Sequence, residues 1–288
     1  MKIDLPLLHR GKVRDIYDLG DNLLICASDR ISAFDCVIPT EIPNKGKILH
    51  KLSMFWFDFV KDIAANHIIT GEFSEFPDFL KKYDYLDGRA MIVKKAKRID
   101  IECIARNYLS GSAWKEYELY KTVCSMPLPD GLKESSKLPN TIFTPSSKED
   151  GGAHDENISF EETKKRIGDE AAETIKNLTL KIYQKASDFA LSKGIILADT
   201  KFEFGYYNNK IILIDEIFTP DSSRFWEAAK YQEGKAQDSL DKQFVRDYLE
   251  KIKWDKKPPA PNLPDEIVKK TLEKYIEAYE KLTGKRWQ

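Results

Sequence analysis

No CxxC pair occurs among the four cysteines, Cys26, Cys36, Cys103 and Cys124. That spacing excludes a zinc ribbon and argues against a disulfide framework, leaving reduced thiols that act as small buried hydrophobes. No apolar run approaches the ~20 residues that a membrane-crossing helix requires, and residues 1–15 have no signal-peptide core, so a cytoplasmic, membrane-free protein is expected. An excess of one charge is also missing. The 46 basic and 47 acidic side chains give a formal net charge of −1, which advertises no nucleic-acid partner. Neither GxxxxGK[ST] nor GxGxxG occurs, so a Walker A loop and a dinucleotide-binding turn are both excluded. Internal repeats are absent as well. What remains is 288 residues with 42% hydrophobic content, enough for one large core or two closely joined lobes.

Charge of both signs concentrates in residues 197–226, LADTKFEFGYYNNKIILIDEIFTPDSSRFW. Alternation over 199–203 predicts a strand with Asp199, Lys201 and Glu203 on one face. Asn208-Asn209 signals a hairpin turn, and the apolar run 211–214 returns as a second strand ending at Asp215 and Glu216. Such pairing is expected to bring Asp215 beside Asp199 and Glu203. Clustered carboxylates repel and resist burial, and a divalent cation removes that cost.

Upstream, HRGKVRDIYD (9–18) reads as strand, turn, strand, with Gly11 allowing close backbone approach and Lys12 suited to phosphate oxygens. Residues 28–60 predict a polar loop carrying Arg30, Ser32 and Asp35, then a helix with Leu52, Phe55, Trp56 and Phe59 toward the core. The strand 89–96 is a candidate connector between lobes, where exposed backbone around Val93 and Lys94 is expected to meet an adenine. Arg106 followed by Ser110-Gly111-Ser112 at a helix start combines a guanidinium with free backbone N–H groups, a cradle for an anion or an ordinary cap. Residues 125–159 show almost no periodicity, as expected of a lid, binding loop or linker. One long helix is predicted over 161–192, capped by Ser159 with Glu162 and closed by Gly194. Two short helices over 225–233 and 240–252, a proline-rich joint, and a last amphipathic helix over 265–282 complete the chain.

Chemistry alone then limits the function. Glu203 and Asp215 suit Mg²⁺, which takes oxygen ligands and keeps waters that phosphates replace. Lys12, Arg106, Lys201 and Arg224 around it imply phosphates from more than one ligand, hence ATP-dependent phosphoryl transfer to a small anionic substrate. A kinase-like order of elements is present, but no HRD-type loop or DFG glycine follows.

The segments GKVRDIYD, SDRISAFD, ECIARNYLSGSAWKEY, FTPSSKEDGGAHDENIS, LADTKFEFG, DEIFTPDSSRFW and DKQFVRDYL occur in order along nearly the whole chain. Together they resemble the SAICAR synthetase family, in its longer form, which carries the TPSSK and HDENIS loop. Ser147 and Asp150 depart slightly within that loop. The resemblance implies an α+β fold in two closely joined lobes, a β-rich ATP-binding lobe over 1–95 and a larger lobe over 96–288. It implies a ligase that joins L-aspartate to the carboxylate of the imidazole nucleotide CAIR through an acyl phosphate, using ATP and Mg²⁺, as a monomer or small homo-oligomer. Mapped by motif, Gly11, Lys12, Arg14, Val93, Lys94 and Glu102 fall on the ATP side, and Glu203 and Asp215 on the metal. Asp199 and Lys201 fall beside the reacting groups. Arg106, Ser112 and Arg224 fall on the 5′-phosphate, with Arg30, Ser32, Asp35 and Asp155 on the remainder of the substrate. A small-molecule kinase and a catalytically silent nucleotide-binding protein are the competing readings; only aspartate-dependent turnover separates the first from a ligase.

Overall fold

The computed structural model describes residues 3–148 and 156–288. Local hairpins build the first sheet. Strands β1 (Leu7–Arg10) and β2 (Arg14–Asp18) flank the Gly11 turn, and β3 (Asn22–Ala27) follows the turn at Gly20. A small hairpin, β4 (Ile31–Ala33) and β5 (Cys36–Ile38), turns at Phe34 and Asp35. Helix α1 (Lys45–Phe59), β6 (Ile68–Thr70), the short α2 (Asp78–Lys81) and β7 (Ala90–Lys94) come next. The five strands run antiparallel in the order β1-β2-β3-β7-β6. Period-two patterning decides the faces: Leu24, Cys26 and Ile92 pack on Phe76, Leu80 and Leu86, while Ile25, Met91 and Val93 line the other side.

The second sheet begins with β8 (Lys97–Arg98) and β9 (Ile101–Tyr108), followed by helix α3 (Gly111–Tyr120). After β10 (Thr122–Val123), β11 (Met126–Pro127), β12 (Lys137–Phe143) and β13 (Ser146–Ser147) come helices α4 (Phe160–Ile167) and α5 (Asp169–Ser192). The 13-residue β14 (Ile195–Tyr207) pairs with β9, β8, β15 (Lys210–Ile214) and β16 (Ser223–Glu227), all antiparallel. Helices α6 (Gln243–Lys251) and α7 (Asp265–Thr283) end the chain.

Helix α1 packs not on the first sheet alone but into the largest core, where Leu52 and Trp56 meet Ile182 of α5, Phe202 of β14 and Tyr275 of α7. The β4–β5 hairpin likewise packs on Val245 of α6 and Leu263. Residue 67 joins the sheets: the His67 amide donates to the Leu213 carbonyl at 3.1 Å, and the His67 carbonyl accepts from Lys94 at 2.8 Å.

Several expectations need correction. The helix over 161–192 is two helices, because Gly168 (φ 84°) separates α4 from α5. Basic residues 164–166 and acidic residues 169–170 are the charge signature of one helix ending and another starting. Residues 223–227 form strand β16 where a helix over 225–233 was expected. Consecutive apolar residues there serve two faces, Phe225 entering the main core and Trp226 packing on Tyr108. The stretch 125–159 contains β11, β12 and β13 rather than being without structure. Val93 lies inside a ladder between β3 and β6, and the Lys94 amide is occupied by His67, so neither offers free backbone to a ligand. The polar loop expected to carry Arg30, Ser32 and Asp35 holds the β4–β5 hairpin instead, because Ile31, Ala33 and Ile38 enter a core. As expected, Asn208 and Asn209 make a left-handed turn (φ 50° and 59°), and Ser159 Oγ accepts from the Glu162 amide at 3.1 Å. Four free cysteines are found, three of them buried. Among the described residues no helix is long and apolar enough to cross a membrane.

Candidate active site

Three charged groups follow one another along β14. At its first end Asp199 sits between Arg106 of β9 and Arg224 of β16, its cross-strand neighbours on either edge. Its Oδ2 accepts from Arg106 Nη1 at 2.6 Å, Arg224 Nη1 at 2.5 Å and Ser110 Oγ at 3.3 Å. Arg106 also donates to Thr144 Oγ1 at 2.9 Å and Ser112 Oγ at 3.3 Å. Asp199 raises the pKa of Arg224, whereas burial lowers that of Arg106. One carboxylate against two guanidiniums leaves surplus positive charge, suited to an anion. Gly111 (φ 59°) lies against this clamp: a Cβ there would stand 2.3 Å from Arg224 Nη2.

Lys201 comes next, two residues along, donating to Glu102 Oε1 at 2.8 Å. Lys148 bridges onward, 3.7 Å from Glu102 and in contact with Glu203. At the far end Glu203 opposes Ile214, which sets Asp215 beside it. Asp215 is left-handed (φ 66°), and Arg14 Nη2 donates to its Oδ2 at 2.6 Å while pairing with Glu216. Burial, opposed by Arg14 but reinforced by Glu203 and Glu216, pushes Asp215 up to about 7. Burial also presses Glu203 upward, yet Lys148 and Arg14 outweigh it and hold that carboxyl below its ordinary value. The expectation that Asp215 meets both Asp199 and Glu203 therefore divides. Asp199 is four residues, about 13 Å of strand, from Glu203, and its carboxylate is committed to two arginines rather than to groups beside Lys201.

On the opposite wall Lys12 pairs with Asp35 at the β4–β5 turn. Arg30 donates to the carbonyls of Gly11 at 3.1 Å and Lys12 at 3.2 Å and to Asp15 at 2.8 Å, which braces the Gly11 turn. Ser32 is buried in β4. A polar cavity of about 670 Å³ opens between the walls, with Asp35, Glu102, Ser112, Lys201 and Arg224 among its lining. Among the described residues no group of three or more His, Cys, Asp or Glu side chains forms a ready-made metal cage. Asp155 lies outside the described residues.

The SAICAR synthetase family profile matches residues 7–261. The chain belongs to the SAICAR synthetase family. It is 59% identical over 281 residues to the phosphoribosylaminoimidazole-succinocarboxamide synthase of Thermodesulfovibrio yellowstonii, covering 97% of this chain and 96% of that one. The Saccharomyces cerevisiae SAICAR synthase solved with SAICAR has a TM-score of 0.91 at 46% identity, covering 100% of this chain and 98% of that one. A SAICAR synthetase solved with ADP has a TM-score of 0.72 at 28% identity over 97% of this chain and 99% of that one. Membership assigns the chain to ATP-dependent ligation in purine biosynthesis and disfavours the kinase reading.

The cavity also has a wall that sequence patterns left unassigned: Ser146, Glu156 and Asn157, with Lys148 beside it. Their only signal was density of polar residues in the TPSSK and HDENIS segments. Glu216 stood in the charged stretch without a role, and its pairing with Arg14 spans 202 positions, beyond any local pattern.

Proposed function

We propose that the chain joins L-aspartate to the carboxylate of CAIR, with ATP cleaved to ADP and phosphate. The observation that carries this reading is the charge order along β14: an anion clamp at Asp199, a lysine at 201 and an acid pair at Glu203 and Asp215. That order suits a ligand with a phosphate at one end and a reacting carboxylate near the other.

Arg106, Ser112 and Arg224 hold the 5′-phosphate, and Asp199 fixes the angle of both guanidiniums. Lys201 attracts the carboxylate toward the transferring phosphoryl group. Lys12, on a turn braced by Arg30, holds the ATP phosphates, with Asp35 on the nucleotide side. The γ-phosphoryl group passes to a carboxylate oxygen as its bond to ADP breaks. The aspartate amine then attacks the acyl carbon, loses a proton, and phosphate departs with the C–O electron pair. Magnesium fits the acid end, because two hard oxygen donors on adjacent strands are what this ion takes when phosphates and water complete its shell. Held by Glu203 and Asp215, the ion would supply neutralisation of charge on the phosphoryl group. Arg14 and Lys148 pair with the same two acids.

ADP release measured with CAIR, with and without L-aspartate, tests the proposal. Turnover is expected only with aspartate, and full-rate release without it would refute a ligase. In Asp215→Asn, turnover and Mn²⁺ binding are both expected to be lost with the circular dichroism spectrum unchanged; retained metal affinity removes Asp215 from the metal site.

A further inference from the structure

The cavity wall built by Ser146, Glu156 and Asn157 carries a side chain whose orientation is dictated from outside the cavity. Asn157 sits on a segment pinned to β13 and its approach: the Ser147 amide donates to the Glu156 carbonyl at 2.9 Å, and the Ile158 amide to the Pro145 carbonyl at 3.0 Å. Its Nδ2 donates to Oε2 of Glu116 on α3 at 2.8 Å. A carboxylate only accepts, so this contact decides which end of the amide is which. Glu116 is itself held, since its Oε1 accepts from the Cys124 amide at 2.7 Å. Asn157 lines the cavity, and with Nδ2 held by Glu116, Oδ1 is the atom left for it.

An amide oxygen repels anions and accepts from neutral O–H or N–H groups. Its position along the ligand follows from α3. Ser112, at the anion clamp, and Glu116 lie four residues apart on one face of that helix, about 6 Å along its axis. That distance carries a nucleotide from its phosphate to its sugar. We propose that Asn157, oriented by Glu116, accepts a hydrogen bond from a ribose hydroxyl of the nucleotide substrate and thereby selects a ribonucleotide. The inference rests on the cavity being the nucleotide site of the ligase.

Calorimetric binding of CAIR reads the interaction without requiring turnover. Asn157→Leu is expected to weaken CAIR binding about tenfold, the loss of one hydrogen bond with its acceptor site left apolar, while ADP affinity and Tm stay at wild-type values. Glu116→Gln keeps an acceptor for the Cys124 amide but no longer dictates the Asn157 orientation, so a smaller loss of CAIR affinity is expected with the fold retained. The 2′,3′-dideoxy analogue of CAIR should bind wild type weakly and lose nothing further in Asn157→Leu. Unchanged CAIR affinity in both variants overturns the proposal, as does a further tenfold loss for the dideoxy analogue, which would move the contact to the base. Failure of the ligase reading shows separately, as absent aspartate-dependent ADP release in wild type.

Discussion

At Gly111 only a hydrogen leaves room for the Arg224 guanidinium, which a Cβ would meet at 2.3 Å. The obstructing atom is the far end of a flexible side chain, so the protein can yield by moving Arg224 rather than its backbone. Gly111→Ala is expected to reduce stability by only about 1–2 kcal/mol, the cost of a left-handed alanine, and to raise KM for the nucleotide substrate at least about tenfold. Steady-state kinetics beside thermal unfolding checks the split. Lys201, Glu203 and Asp215 were legible because alternation and a turn signal are local. The partnership of Asp199 was not. It depends on which strands flank β14 and on the register shift between Leu197 and Asp199, where the Tyr183 hydroxyl donates to the Leu197 carbonyl.

Among the elements, α1, α5 and α7 were readable because one apolar stripe at helical spacing faces one core. Strand β16 was not, since burial on both faces erases the alternation that identifies a strand. The α4–α5 break illustrates a third case, in which helix propensity ran through a glycine whose conformation ends the helix. Gly168 has φ 84° and ψ 154°, and an added Cβ would meet nothing within 4 Å. The penalty of Gly168→Ala is therefore conformational alone, about 1–3 kcal/mol. Urea unfolding should show a lower midpoint with an unchanged m-value, and ligase activity should remain at the wild-type level. An activity loss larger than the stability loss would mean that the α4–α5 angle reaches the site.

For the whole molecule, α1 is the member shared between the sheets, and His50 is the one histidine it carries. The ring is buried and contacts the Gly71 carbonyl at 3.2 Å, and burial pushes its pKa from 6.5 down to about 4. Between those values the unfolded chain binds a proton that the folded chain refuses. Stability therefore rises with pH across that window and is lost as pH falls from 6.5 toward 4. At about pH 5 the loss amounts to roughly 2 kcal/mol. Thermal unfolding at about pH 5 and about pH 7.5 should show this drop in wild type, and His50→Gln should reduce it by that amount. An equal drop in the variant would assign acid sensitivity to other groups. Such long-range packing was out of reach of sequence patterns, which predicted α1 without saying which core it enters.

β14 has one consequence for selectivity. Asp199, which holds the arginine clamp, and Glu203 of the acid pair are carried by this single hydrogen-bonded strand, so hinge motion cannot vary their spacing of about 13 Å. The strand acts as a fixed gauge. A nucleotide with a shortened phosphate arm, or with one methylene inserted before its carboxylate, can be seated at either end but not at both. Such an analogue is rejected by length alone, with no repulsive contact along the span between.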